Sequence, residues 1–150
     1  MSATIVSYDD SAHRGPVADL WRSVFGYDAP HNDPLIAIDA KLAVDDGLFF
    51  VALCMTTVIG TVMAGYDGHR GWIYAMAVHP DYRGGGIGSA LLAHAEERLS
   101  RRGCMKINLQ IVEGNAAVQA FYARSGYATE ARISMGKRLP ENIGPPAKPS

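Results

Sequence analysis

Apolar and polar positions follow two rhythms along the chain. Ala3 to Tyr8 has the β-branched character of a short strand. Val17, Leu20, Trp21, Val24 and Phe25 then recur at helical spacing, with Gly15 before and Pro16 in the expected first turn. Asn32-Asp33-Pro34 is a cap followed by proline at the first helical position, and it predicts a second helix whose buried stripe is Leu35, Ile38 and Leu42. Leu48 to Met55, Val58 to Tyr66 and Trp72 to His79 predict three strands joined by short turns, the second turn being Asp67 to Gly71. They form an antiparallel meander.

After His79 the pattern changes. Pro80 to Gly86 is a glycine-rich loop that opens a helix carrying Ile87, Leu91, Leu92, Ala95 and Leu99 on one side and ending at Gly103. Lys106 to Val112 predicts a strand, Asn115 caps a short helix through Phe121 and Tyr122 that closes at Gly126, and Tyr127 to Leu139 holds a last strand. Strand, loop, helix, strand is a crossover, so the Trp72 and Lys106 strands are expected to be parallel neighbours.

Length and composition narrow the class. One hundred and fifty residues, 48% hydrophobic and 19% charged, suit one α/β domain with a real core. Residues 1–139 are expected to form it. The stretch 140–150, with prolines at 140, 145, 146 and 149, is expected to be a disordered tail. Fourteen basic against fifteen acidic residues give a net charge of -1, which offers no broad footprint for nucleic acid or an anionic membrane. The apolar runs are too short to span a bilayer, and Met1 to Asp10 has no signal-peptide pattern. Cys54 and Cys104 are the only cysteines, and the five histidines lack ligand spacing, so no metal site is expected. The expectation is a soluble, cytoplasmic protein with free thiols.

The candidate chemistry begins at the loop Val78-His79-Pro80-Asp81-Tyr82-Arg83-Gly84-Gly85-Gly86-Ile87-Gly88-Ser89. Small residues opening a helix leave backbone N–H groups at the positive end of its dipole, which suits phosphate. A flexible turn is the plain alternative. The Walker lysine is missing, and the dinucleotide spacing of glycines fails in both frames. The run Arg83-Gly84-Gly85-Gly86-Ile87-Gly88, with Val78-His79-Pro80 before it, instead resembles the acyl-CoA loop of the GNAT superfamily of N-acetyltransferases. Asn115 to Tyr127 resembles that family's second signature, in the expected order and separated from the first by one helix and one strand.

The resemblance implies a mixed, mostly antiparallel sheet of about six strands with a splayed parallel pair, flanked by about four helices. It implies acetyl-CoA as co-substrate, an amine acceptor, direct attack and no metal, and it is compatible with a homodimer. The backbone of Met76, Ala77 and Val78 would pair with pantetheine and supply an oxyanion donor. Arg83 and the N–H groups of Gly84, Gly85, Gly86, Ile87, Gly88 and Ser89 would take the pyrophosphate. Asn115 would contact the cofactor, or serve only as a helix cap. Tyr122 would protonate the departing thiolate, or be plain core.

The general base is open. Family members place a glutamate where Trp72 and Gln110 stand here, and neither is a base. Glu113, Tyr74 and His79 are nearby, with Asp67 and His69 in the adjoining turn. Trp21, Trp72, Phe49 and Phe50 are expected in the core. Asp28, His31, Asn32 and Asp33 lie where the family often builds its acceptor pocket, or form a bland polar loop. A non-catalytic module that kept the acyl-CoA cleft is the rival reading.

Overall fold

The computed structural model describes residues 3–26 and 33–140. The chain runs β1 (Thr4–Ser7), α1 (Asp10–Phe25), α2 (Pro34–Val44), β2 (Phe49–Cys54), β3 (Thr57–Tyr66), β4 (Gly71–Val78), α3 (Ile87–Arg101), β5 (Ile107–Leu109) and α4 (Ala116–Arg124). The five strands form one sheet in sequence order. The pairs are antiparallel except β4 with β5, which is the expected parallel pair.

Each face of the sheet seals one core. On one face Leu91, Leu92, Ala95 and Leu99 of α3 meet Phe50, Ile59, Val62 and Ile73, and α4 joins them through Tyr122. On the other, Val17, Leu20 and Trp21 of α1 and Ile38 of α2 meet Phe49, Val51, Val58 and Met63. The β2 segment Phe49–Ala52 is buried on both sides, which is why it reads as a continuous apolar run. No described helix is long and apolar enough to cross a membrane.

The structure corrects several expectations. Helix α1 begins six residues before Pro16, at a cap where the Asp9 side chain accepts from the Ser11 N–H. Pro16 sits inside the helix on an exposed face, where the carbonyl it cannot satisfy faces water. Asp33 and Pro34 start α2 as expected, but Leu35 is exposed while Ile38 is sealed. Strand β5 has only three residues. Residues 127–140 form no strand, so five strands stand where about six were expected. Side chains alone tie that segment to β5: Glu130 to Lys106 and Asn108, and Ser134 to Gln110. Asp28, His31, Asn32 and the tail 141–150 lie outside the described residues.

Candidate functional site

The loop between β4 and α3 is braced from within. Pro80–Tyr82 makes a single tight turn capped by His79, whose Nδ1 accepts from the Asp81 N–H at 3.1 Å. The His79 ring meets Tyr82 edge-on at 5.7 Å, and Arg83 Nε donates to the Val78 carbonyl at 3.0 Å. The chain can then turn sharply because Gly84 (φ 84°) and Gly86 (φ 83°) take the left-handed conformation, with open space where a Cβ would stand. Gly86 is the N-cap of α3, and no side chain caps that end. The first-turn N–H groups therefore carry the helix's positive end into the open. Gly88 has a different reason: a Cβ there would lie 3.3 Å from the Phe121 ring, so this glycine lets α4 pack onto α3.

Beside the loop, β4 and β5 separate. They pair only from Gly71–Ile107 to Ile73–Leu109, leaving Met76, Ala77 and Val78 with no partner on the β5 side. The cause is a bulge. Thr61 faces Ala77 and Met63 faces Tyr74, so Val62 spans both Ala75 and Met76. Ala75 adopts φ 51°, rare for a residue with a Cβ. A buried chain of hydrogen bonds holds it: Trp21 Nε1 donates to Thr61 Oγ1 at 2.8 Å, and Thr61 Oγ1 donates to the Ala75 carbonyl at 2.8 Å. Sequence reasoning missed this brace, because Thr61 carries no signal and Trp21 reads as core.

Tyr122 is 7% exposed on α4, in edge contact with Phe121 (5.0 Å) and Tyr127 (5.6 Å). Burial pushes its phenol up to about 12. Among the described residues no hydrogen bond involves its hydroxyl. Asn115 is the α4 cap, its side chain accepting from the Val118 N–H at 3.2 Å.

The base candidates are mostly committed elsewhere. Asp67 accepts from the backbone N–H groups of His69 and Arg70, both at 2.7 Å, and these bonds hold its carboxyl below the usual range. His79 Nδ1 is occupied as a cap. The Tyr74 hydroxyl lies 3.2 Å from Lys41 Nζ, and Gln110 bonds Ser134. Glu113 is exposed in a turn. Asp33 caps α2. Trp72 is 37% exposed and not core, since the short β5 leaves its face uncovered. No group of His, Cys, Asp and Glu suited to a metal occurs among the described residues.

The crossover's parallel strands part beside an uncapped, glycine-entered helix. The model of the Acetyltransferase (GNAT) family matches residues 16–127, and the chain belongs to that family. An acetyltransferase of Yersinia pestis (strain Pestoides F) is 48% identical over 110 residues, covering 73% of this chain and 78% of the relative. A GNAT acetyltransferase from Staphylococcus aureus Mu50 superposes with a TM-score of 0.75 at 19% identity, covering 93% of each chain. The PaiA N-acetyltransferase of Thermoplasma acidophilum, solved with coenzyme A, gives 0.71 at 18% identity, covering 89% of this chain and 94% of that one.

Proposed function

We propose that this acetyltransferase moves the acetyl group of acetyl-CoA to an amine by direct attack, within a domain spanning residues 1–139. The observation that carries the reading is the unpaired β4 edge at Met76–Val78 lying next to the uncapped start of α3. The open space at Gly84 and Gly86 fits a pyrophosphate against the main chain. Gly85, Ile87, Gly88 and Ser89 complete the run of N–H groups, and Arg83 supplies a cation at its rim. The Met76–Val78 backbone pairs with the pantetheine amides and offers an N–H to the developing oxyanion, a donor typically worth roughly 3–4 kcal/mol. Asn115 keeps its cap and presents its amide to the cofactor.

Acetyl-CoA supplies the activated acyl group, and the protein must manage the thiolate left behind. Tyr122 is the donor. Its phenol is fully protonated at neutral pH. The dry surroundings that raise the phenol also raise a thiolate beside it, so the proton match is kept. Neither cysteine serves as a nucleophile. Cys104 Sγ bonds the Lys106 carbonyl at 3.3 Å before β5, and Cys54 closes β2.

The lack of an unengaged carboxylate on β4 or β5 among the described residues favours one rival, a cleft that binds acyl-CoA without turnover. Calorimetric titration with CoA, followed by acetyl-CoA turnover over an amine panel, separates the two. Saturable CoA binding with turnover supports the transferase. Binding without turnover supports the rival, and no binding removes both.

A further inference from the structure

Tyr122, the proton donor of the mechanism proposed above, has no polar anchor of its own. Among the described residues no hydrogen bond involves its hydroxyl, so the ring is placed by the rings beside it. Two of them meet it edge-on, Phe121 at 5.0 Å and 73° and Tyr127 at 5.6 Å and 74°. Such packing is soft. An edge contact tolerates a range of offsets, whereas a hydrogen bond fixes both distance and direction.

Each flanking ring is pinned to α3. Phe121 lies against Gly88 in the first turn, where a Cβ would stand 3.3 Å from the ring. Tyr127 follows α4, and its hydroxyl donates to Glu96 Oε2 at 2.7 Å. Glu96 lies about 12 Å beyond Gly88 along α3, at about 1.5 Å per residue. Two anchors on one helix thus hold the two rings that hold Tyr122.

The Glu96 anchor is the directional one. A phenol donating to a carboxylate makes a short, charge-assisted bond, roughly twice as strong as a neutral one. Burial pushes the Tyr127 phenol up, and the Glu96 carboxylate pushes it further, so the proton stays on the phenol oxygen through the neutral range. No cation pairs with Glu96 among the described residues, and Lys106 on the same cavity wall is taken by Glu130. The main chain joins in, the Tyr127 N–H donating to the Tyr122 carbonyl at 3.0 Å. A shift of Tyr127 is therefore passed to Tyr122 through both ring and backbone.

Resting on the transferase reading above, we propose that Glu96 and Tyr127 are positioning residues for the acid. The Glu96 carboxylate anchors the Tyr127 ring, and that ring sets the angle at which the Tyr122 hydroxyl meets the departing thiolate. The pair also ties the helix that opens at the glycine loop to the helix that carries the acid, so cofactor and proton donor share one frame.

Kinetics on single and double variants test this, with acetyl-CoA and the amine of the panel that turns over fastest. Tyr127→Phe keeps the ring and loses the bond, and Glu96→Ala loses it from the other side. Each should lower kcat about 5- to 50-fold, within the loss of roughly 10² that a misplacement near 1 Å can bring. The dissociation constant of CoA should stay within about threefold, with a melt showing each variant folded. Glu96→Gln still offers an amide oxygen to the phenol, so its kcat should stay within about threefold of wild type. On the Tyr122→Phe protein the hydroxyl to be aimed is gone, and adding Tyr127→Phe should change kcat by less than about twofold. The proposal is overturned by wild-type kcat in both Tyr127→Phe and Glu96→Ala, by a loss in Glu96→Gln as large as in Glu96→Ala, or by an undiminished effect of Tyr127→Phe on the Tyr122→Phe protein. In each of those cases Tyr122→Phe alone still lowers kcat. Wild-type kcat in Tyr122→Phe removes the acid and these positioning roles with it. Failure of CoA to bind, or of every amine to turn over, removes the transferase reading itself.

Discussion

Replacing Thr61 by valine tests whether the bulge that opens β4 depends on its buried brace. The substitution keeps volume and removes one hydroxyl. That hydroxyl is fully buried and makes two hydrogen bonds, accepting from Trp21 Nε1 and donating to the Ala75 carbonyl. Both partners stay in place when it goes, the buried Trp21 N–H and the part-buried Ala75 carbonyl, each left unpaired at about 1–3 kcal/mol. The sum is about 2–6 kcal/mol, a large share of the roughly 5–15 kcal/mol that holds a domain together. For a chain of this size, a value near 3 kcal/mol lowers the melting temperature by about 6–12 °C. Thr61→Ser keeps both bonds and loses a methyl group, so it should cost about 1 kcal/mol. Ala75 sits at φ 51° only while it is held. The valine protein, measured well below its melt, should therefore also bind CoA more weakly than the serine protein. Urea unfolding and calorimetric CoA titration of the three proteins provide the comparison. A Thr61→Val protein within about 1 kcal/mol of Thr61→Ser, or one with intact CoA affinity, would refute the claim that this brace sets the cleft.

Three further outcomes are expected. Tyr122→Phe should keep CoA affinity and lower kcat by roughly 10- to 10⁴-fold. With the phenol pushed up to about 12, any alkaline limb below pH 10 should persist in the variant; wild-type kcat in a folded Tyr122→Phe protein would exclude the residue from proton transfer. Gly86→Ala should cost about 1–2 kcal/mol from its left-handed backbone alone. Gly85→Ala, whose Cβ meets only the Tyr82 carbonyl at 3.7 Å, should leave stability within about 0.5 kcal/mol. Both should weaken CoA binding, and undiminished affinity in Gly85→Ala would return the loop to a plain turn. Finally, the folded Tyr122 phenol holds its proton to higher pH than the unfolded one, so the folded state binds more protons between pH 10 and about 12. Stability should fall as pH rises through that window, and Tyr122→Phe should flatten part of the fall in urea titrations at pH 9 and 11.

Much of this protein is legible from local pattern. The apolar runs of β2 and β3, the stripe Leu91–Leu92–Ala95–Leu99, the caps at Asp33 and Asn115, and the crossover around the glycine loop all appear where the sequence places them. Each depends on residues within a turn or two of one another, and the energy that selects it is local. The two family signatures are legible for the same reason, since each lies on one short segment.

Other features depend on partners distant in sequence. The bulge at Ala75 needs Thr61 and Trp21, 14 and 54 residues away, and no glycine or proline marks it. Gly88 looks like one more phosphate-loop glycine until the Phe121 ring is found against it. Trp72 reads as core because a strand tryptophan usually is. It is exposed because β5 pairs over three residues only and nothing covers its face. The start of α1 was misplaced because proline marks a helix start only when the chain before it cannot be helical, and here Asp9 supplies an earlier cap. Local propensity chose the elements; long-range packing and hydrogen bonding decided where the sheet opens and which side chains it leaves exposed.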